Sequence, residues 1–325
     1  MVRLSAGNDR TIQDSASIPI EMTSQDRTVA VVILNWNGGE DILDCLASVY
    51  SSTHKAVEVV IVDNGSVDGS SNSIRERFPA THFIVNRENL GFARGSNQGA
   101  EWAVDRGIPY VLLLNGDARL HPEAIDELLA ATCQEDDSIV ACPKMYLGEP
   151  EDKIKRLWFA FGTVKLWAGL FQNPAFNQID SEFWSRQQNM EYASGCCMLI
   201  PTSVLKRTGM FDESFFAYCE DVDLSIRVRK AGFRLRYVPT AQLWHGSHKP
   251  TNRTRTATYR YLSTRNNLWV VRKHGSWLDV LTCLCILPLR SLFRIAKLTA
   301  DRNWAAVFAE ARGMKDGVFA QAGTR

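Results

Sequence analysis

A chain of 325 residues, 45% hydrophobic and 22% charged, carries enough apolar side chain for a sizeable core, and this composition excludes a disordered or fibrous protein. Its 37 Lys and Arg against 36 Asp and Glu leave a net charge of +1, which excludes a general nucleic-acid binder, because affinity for a phosphate backbone needs concentrated cations. The 8 cysteines (Cys45, Cys133, Cys142, Cys196, Cys197, Cys219, Cys283, Cys285) show no paired Cys-x-x-Cys spacing, so they read as buried thiols in a reducing compartment rather than as zinc ligands or a disulfide framework.

Residues 1–28 are polar and mixed in charge, without the apolar run of a signal peptide, so a disordered leader and a cytoplasmic location are expected. Residues 29–34 are an unbroken apolar run of strand length, and residues 41–50 place Ile42, Leu43, Leu46, Val49 and Tyr50 on one helical face. The alternation recurs: strands over 57–62, 81–85 and 110–114, helices over 70–78, 94–106 and 122–133, then a short apolar strand over 138–142. Strands that are apolar throughout, each feeding a helix, predict an α/β fold with a largely parallel sheet covered by helices on both faces. Ligands of such sheets sit beyond the C-terminal ends of the strands.

Those ends are polar here. Asn35-Trp36-Asn37-Gly38-Gly39 follows the first strand and Asp63-Asn64-Gly65-Ser66-Val67-Asp68-Gly69-Ser70 the second. The segment from Asn86 to Asn97 follows the third, and Asn115-Gly116-Asp117 the fourth. Any one of them is an ordinary turn, since Asn, Asp and Gly cap helices and tolerate left-handed backbone. Four in succession along one sheet edge point to a site. No Gly-x-Gly-x-x-Gly or Walker pattern is present, so dinucleotide and P-loop sites lack their phosphate cradle.

Residues 143–190 hold many aromatics, among them Trp158, Phe159, Phe161, Trp167, Phe171, Phe176 and Trp184, without a clean period. A partly irregular insertion over the site is expected, its rings either facing a ligand or forming a satellite core. A strand follows over 193–200, a short helix over 201–207, and a half-buried strand over 233–237 that ends at Pro239. Between these lies the stretch that most suggests chemistry: Glu220, Asp221 and Asp223 crowd three carboxylates at the start of a helix expected over 221–230. Like charges so close repel unless a helix N-terminus, a metal or a proton stabilises them.

In order, Asn35-Trp36-Asn37, Asp63-Asn64-Gly65-Ser66-x-Asp68-Gly69, Asn89-x-Gly91-Phe92-Ala93, Asn115-x-Asp117, Glu220-Asp221-x-Asp223 and Trp244-His245 resemble the family 2 inverting glycosyltransferases of the GT-A nucleotide-sugar fold, rhamnosyltransferase-like members of bacterial polysaccharide assembly above all. The resemblance runs over about residues 29–245, with a shorter echo at Arg265-Asn266-Asn267-Leu268. It implies a nucleotide-sugar-binding half over 29–142, an acceptor-binding and catalytic half over 143–250, and a C-terminal helical extension over 251–325. It also implies that Leu34, Asn35, Asn37, Asp63 and Asn64 line the nucleotide pocket, with Asp63 accepting from a uracil or thymine ring N–H. Asn89, Gly91 and Asn97 would pass beside the sugar and diphosphate. Asp117 and His245 would hold a divalent metal, Mg²⁺ or Mn²⁺, with His248 a weaker candidate. Asn115 departs from the family's paired carboxylates by offering a neutral oxygen.

The implied reaction is transfer of a sugar from a dTDP- or UDP-sugar, rhamnose in particular, to a glycan or lipid-linked acceptor. With the diphosphate leaving group neutralised by metal, one base suffices: Asp221, with Glu220 and Asp223 shaping its field or orienting the acceptor. Two rivals remain: a nucleotidyltransferase on a similar sheet, and a non-catalytic carbohydrate-binding or scaffold protein, to which Asn115 would be no handicap. After His245, the cations Lys249, Arg253, Arg255 and Arg260 either cover the donor phosphates or form a solvated tail. Residues 277–289 are strongly apolar but too short to span a bilayer, and Arg290, Arg294, Lys297 and Arg302 follow. That segment either lies in an anionic membrane interface, placing the protein peripherally on the inner face of the cytoplasmic membrane, or packs on the catalytic domain.

Overall fold

The computed structural model describes residues 27–133, 138–246 and 256–320. Residues 1–26 of the expected leader, and His248, Lys249, Arg253 and Arg255 of the basic run, lie outside the described residues. In chain order the elements begin β1 (Val29–Asn35), α1 (Asp41–Tyr50), β2 (Val57–Asp63), α2 (Ser70–Arg77), β3 (His82–Val85), α3 (Phe92–Asp105), β4 (Tyr110–Asn115), β5 (Ala118–Leu120), α4 (Ala124–Cys133) and β6 (Ile139–Leu147). The second half adds β7 (Arg156–Phe159), β8 (Thr163–Lys165), β9 (Leu170–Gln172), β10 (Gln188–Asn189), β11 (Cys197–Pro201), α5 (Thr202–Thr208), α6 (Glu220–Lys230) and β12 (Arg234–His245). Helices α7 (Ala257–His274), α8 (Trp277–Ala300) and α9 (Trp304–Phe319) close the described chain.

The central sheet runs β10-β12-β6-β11-β4-β1-β2-β3, with β5 on β12 and β7 on β6. Strands β4, β1, β2 and β3 are mutually parallel, as their continuous apolar runs predict, and β12 is parallel to β6. Within the body of the sheet one strand departs from the parallel pattern, and the short strands β5, β7 and β10 also pair antiparallel. Strand β11 enters antiparallel between β4 and β6, so that its start, at Cys197, lies beside Leu114 at the end of β4. In the parallel part, Asn35 is level with Asp63, and Leu34 with Asn115. The polar residues that end successive strands are therefore brought to one edge by register alone.

Two boundaries were not visible in the pattern. Strand β12 does not end at Pro239 but continues to His245, past a register shift between Val238 and Gln242. A bulge is where a strand tolerates proline, because no ladder hydrogen bond is required of it there. Strand β5, too short to show a period, pairs with the end of β12 and sets His245 opposite Ala118, next to Asp117.

Helix α3 seats closely on β1 because Gly95 and Gly99 face it. A Cβ at Gly99 would stand 2.3 Å from Val32 Cγ1, inside a core that is closed on every side. Gly99→Val is therefore expected to cost about 1–3 kcal/mol through overpacking, measured as a lower urea midpoint at unchanged slope. An unchanged midpoint would mean that α3 does not rest on β1 in this way.

At the C-terminus, α7 joins the main core through Trp269 and Val270, while Leu268 and Val271 form a smaller cluster with Cys283 and Leu287 of α8. Asp279, an interruption in the apolar sequence, is the N3 residue of a capping box with Ser276, so it belongs to the helix end and not to the apolar face. Helix α8 buries a narrow stripe of Cys283, Leu287, Ser291 and Leu298 and leaves Trp277, Leu278, Leu281, Leu289, Leu292 and Phe293 exposed. Among the described residues, no helix is long and apolar enough to cross a membrane.

Candidate active site

At the ends of β1 and β2, buried Asn35 donates to Asp63 Oδ1 at 3.3 Å and to Ser70 Oγ at 3.0 Å. Asp63 Oδ1 also accepts from Ser66 N–H at 3.2 Å, which leaves Oδ2 as the oxygen available to a ligand. Asn37, with φ 54°, folds the loop back: its N–H reaches Ser66 Oγ at 2.9 Å and its Oδ1 accepts from Val67 N–H at 2.9 Å. Leu34 is half-buried at the same edge.

Several of the remaining expected donor-site residues face inward. Asn64 is fully buried; it accepts from Asn86 Nδ2 and donates to Asn89 Oδ1 at 3.2 Å and Gly91 O at 3.0 Å. Asn97 bonds both ways with the backbone of Phe211, at 2.9 and 3.0 Å. These two asparagines shape the loops around the site and do not present their amides to it. Gly91, at φ 91°, is required by closeness: a Cβ there would meet Phe216 O at 2.6 Å.

At the end of β4, Asp117 Oδ1 lies 3.3 Å from His245 Nε2, and Asn115 Nδ2 lies 3.4 Å from the same nitrogen. The Trp158 ring lies over the imidazole, with centroids 4.1 Å apart, while His245 Nδ1 is buried without a partner. Among the described residues no group of three or more His, Cys, Asp or Glu is placed to hold a metal. A single carboxylate with an imidazole and an amide fits a divalent ion that arrives with a phosphate ligand, as Mg²⁺ commonly does with one or two carboxylates plus substrate oxygens. The residues present therefore suit a metal shared with substrate better than a closed structural site.

Asp221 stands at the start of α6, where backbone dipoles favour negative charge. Its Oδ2 accepts from Gly195 N–H at 3.0 Å and its Oδ1 from Val222 N–H at 2.8 Å. The next carbonyl after Gly195, that of Cys196, accepts from Asn115 N–H at 2.8 Å. Two residues ahead of β11 thus join Asp221 to the end of β4. Burial raises the Asp221 carboxyl above the ordinary carboxylate range, against the lowering effect of these amides. Glu220 is raised further, by burial first and then by the Asp221 charge, and its Oε2 is buried with no partner.

Asp223 does not share that environment. It is fully buried and bonds to His274 Nε2 at 2.7 Å, Lys273 Nζ at 2.8 Å and Arg227 Nε at 2.9 Å. Burial works against its charge, but the His274 bond and the Arg227 and Lys273 cations hold the carboxyl at about 2. It anchors α6 to the end of α7.

The approach to α6 is strained: Phe216, Tyr218 and Cys219 have φ of 64°, 71° and 69°. Non-glycine residues in that region cost about 1–3 kcal/mol each and persist only when the surroundings impose them. Asn266 imposes them here, donating to Phe215 O at 2.9 Å, Ala217 O at 2.8 Å and Tyr218 O at 2.7 Å, and Arg265 adds a bond to Phe215 O at 3.2 Å. The sequence signalled these two residues only as an echo after the main motifs, and gave no sign of Gly195 as a partner of Asp221.

Residues 30–209 match the sequence description of glycosyl transferase family 2. The chain belongs to that family. It is 28% identical to the N-acetylglucosaminyl-diphospho-decaprenol L-rhamnosyltransferase of Mycobacterium tuberculosis over 270 residues, 74% of this chain and 85% of that one. It is also 28% identical over 243 residues to the low-salt glycan biosynthesis hexosyltransferase Agl10 of Haloferax volcanii, 73% of each. The glycosyltransferase shares its GT-A-type fold with the mannosyltransferase PcManGT of Pyrobaculum calidifontis, solved with GDP-Man and Mn²⁺, at TM-score 0.54, 14% identity and 90% and 87% coverage of the two chains. GalNAc-T7, solved with UDP, GalNAc and Mn²⁺, aligns at TM-score 0.60 and 17% identity over 78% of this chain and 49% of its own. An enzyme of glycosyl transfer replaces the nucleotidyltransferase and scaffold alternatives.

Two tests follow from the transferase's geometry. Asn266→Ala strands buried carbonyls, each worth about 1–3 kcal/mol, and should lower kcat while nucleotide affinity stays within twofold (about 0.4 kcal/mol); equal kcat in the variant would remove Asn266 from the support of Asp221. Because the folded Glu220 holds its proton above the ordinary value of 4.5, its contribution to stability is complete below that value and is lost as pH rises through the raised one. Glu220→Gln should thus raise Tm relative to the parent increasingly as pH rises from 4.5 towards the raised value, and a Tm difference independent of pH would contradict the buried acid.

Proposed function

We propose that this family 2 glycosyltransferase inverts the anomeric centre of a nucleotide-diphosphate sugar, a dTDP- or UDP-sugar and foremost rhamnose, while transferring it to a hydroxyl of a glycan or lipid-linked saccharide in cell-surface polysaccharide synthesis. The observation that carries this reading is Asp221: a half-buried carboxylate aimed by two backbone amides, raised above the carboxylate range, and joined through Gly195 and Cys196 to the strand end that bears Asp117. Asp63 Oδ2 supplies an acceptor for a pyrimidine ring N–H. Asp117 and His245, with Asn115 beside them, would hold a divalent cation, which supplies charge neutralisation for a diphosphate when bound. Asp221 takes the acceptor's hydroxyl proton as its oxygen attacks the anomeric carbon from the face opposite the nucleotide. Glu220, its carboxyl raised by burial and then by the Asp221 charge, disfavours a second negative charge beside that base. The Mycobacterium tuberculosis relative, an N-acetylglucosaminyl-diphospho-decaprenol L-rhamnosyltransferase, supports the lipid-linked alternative.

The exposed face of α8 and α9 supports work at a membrane surface. Trp277, Phe293, Trp304 and Phe308 are 74%, 81%, 55% and 71% exposed, more large apolar side chain than a solvated surface carries without a partner. Arg294 pairs with Glu310, and Arg290 donates to Ala168 O, so attraction to anionic lipid falls chiefly to Lys297 and Arg302. Burial of such side chains in the interface is worth about 1.5–3 kcal/mol each when complete.

Asp221→Asn should keep donor binding and lose about 10²–10⁴-fold in transfer, while Asp117→Ala should instead weaken metal-dependent donor binding. In the parent, kcat/KM should fall on acidification at a pH above the usual carboxylate range, since the raised base must be ionised to act; a limb that stays near 4 or survives in Asp221→Asn would assign the base elsewhere. Phe293→Asp should leave Tm unchanged and abolish co-sedimentation with anionic liposomes. Unfolding by that change, or no liposome binding by the folded parent at low salt, would reject the membrane surface.

A further inference from the structure

Between α7 and α8 lies a cavity of about 150 Å³, away from the donor residues. A water needs only about 10–15 Å³ by this measure, so the space admits a multi-atom group. Three guanidinium groups line it, those of Arg260, Arg290 and Arg294, together with Ser263, Thr264 and the Asn267 amide, and no carboxylate does. Glu310, behind Arg294, is already taken by Arg294 Nε at 2.8 Å and Ser291 Oγ at 3.0 Å, with its Oε2 buried and without a partner among the described residues. Arg290 is fixed through bonds from Nη1 to Ala168 O and Gly169 O, at 2.9 and 3.3 Å, and its Nη2 meets no acceptor among the described residues. The Arg260 guanidinium makes no hydrogen bond or ion pair with the described protein, and its Nε is buried. Burial and the neighbouring Arg294 charge lower the Arg290 pKa, the mark of cations gathered without enough counter-charge.

Such a set is complementary to a phosphate ester: three guanidinium groups, of which Arg294 alone is paired with a carboxylate among the described residues, and hydroxyl donors beside them. Its position relates it to the reaction. Tyr259, on the cavity wall, meets the Tyr218 ring edge-on at 4.9 Å, and Tyr218 lies on the loop that leads into Asp221. Leu287 closes the opposite side, on the helix whose outer face carries Leu281, Leu289 and Leu292. We propose that this cavity is the subsite for the phosphate or diphosphate of the acceptor, holding the ester between a sugar that reaches Asp221 and a lipid chain that follows the apolar surface of α8. This rests on the reading of the protein as a transferase to lipid-linked saccharide, and goes beyond it by placing the acceptor's charge.

The test is calorimetric titration of farnesyl phosphate, and separately of inorganic phosphate, into the full chain saturated with whichever of UDP or dTDP binds in the presence of Mg²⁺. Farnesyl phosphate should bind to the nucleotide-loaded protein. Arg260→Gln should weaken it at least tenfold (about 1.4 kcal/mol), Arg260→Lys should recover part of the loss, and neither should alter nucleotide affinity. Ser263→Asp, which adds a charge to the cavity, should have the same selective effect. No binding to the loaded protein, or equal binding by parent and both cavity variants, would overturn the subsite. Inorganic phosphate bound as tightly as farnesyl phosphate would make it a free-anion site and overturn the acceptor assignment. Failure of the donor reading is separately visible, as neither nucleotide would then bind.

Discussion

The proposed reacting centre depends on two peptide units just ahead of β11. Gly195 N–H donates to Asp221 and Cys196 C=O accepts from Asn115, so the proposed base and the end of β4 are tied to one short piece of backbone. That piece is in place because β11 enters the sheet antiparallel, between two strands that would otherwise be neighbours, and starts where β4 ends. Backbone bonds inside a sheet have little freedom, and a general base works only when its oxygen is already within reach of the proton it takes. The rest of the site can be described as whatever keeps this link aligned.

Electrostatics divides the three neighbouring acids by surroundings rather than by sequence. Asp223 lies among Arg227, Lys273 and His274 and is held at about 2. Glu220 and Asp221 face apolar burial and each other, and both are raised. Environments that push adjacent groups apart let one short segment hold a fixed ion pair beside two carboxyls of raised proton affinity, the setting in which we propose a base. The strained turn over Phe216, Tyr218 and Cys219 belongs to the same arrangement, because it delivers the chain to α6 in the orientation that separates these acids, and Asn266 sustains it from α7. Helix α7 is in this sense part of the active site's foundation, although none of its residues need touch the donor.

Much of this was legible in the chain. The apolar runs at 29–34, 57–62 and 110–114 set the parallel strands, and the polar residues that follow each run collect at one edge because register in a parallel sheet aligns them. What could not be read depended on contacts distant in sequence. Nothing local distinguishes an antiparallel β11 from a parallel one, since a strand buried on both faces is apolar either way. Pro239 suggested a strand end because a bulge cannot be foreseen from one side of a ladder. Asn64 and Asn97 carry the same side chain as residues that meet ligands, and only their buried partners, such as Phe211 for Asn97, show that they shape loops instead. The apolar segment at 277–289 left packing and membrane contact as alternatives, and the helix buries one stripe while leaving the other exposed.

The central claim is that Asp221 acts as a base in a single displacement, with no covalent intermediate on the protein. The anomeric configuration of the transferred sugar decides this most directly. With a donor and acceptor that the enzyme accepts, the one-bond carbon–hydrogen coupling at the anomeric centre, recorded by NMR on the first-formed product, should show the configuration opposite to that of the nucleotide sugar. A product with the donor's own configuration would require a second displacement or a front-face reaction, and would contradict the account.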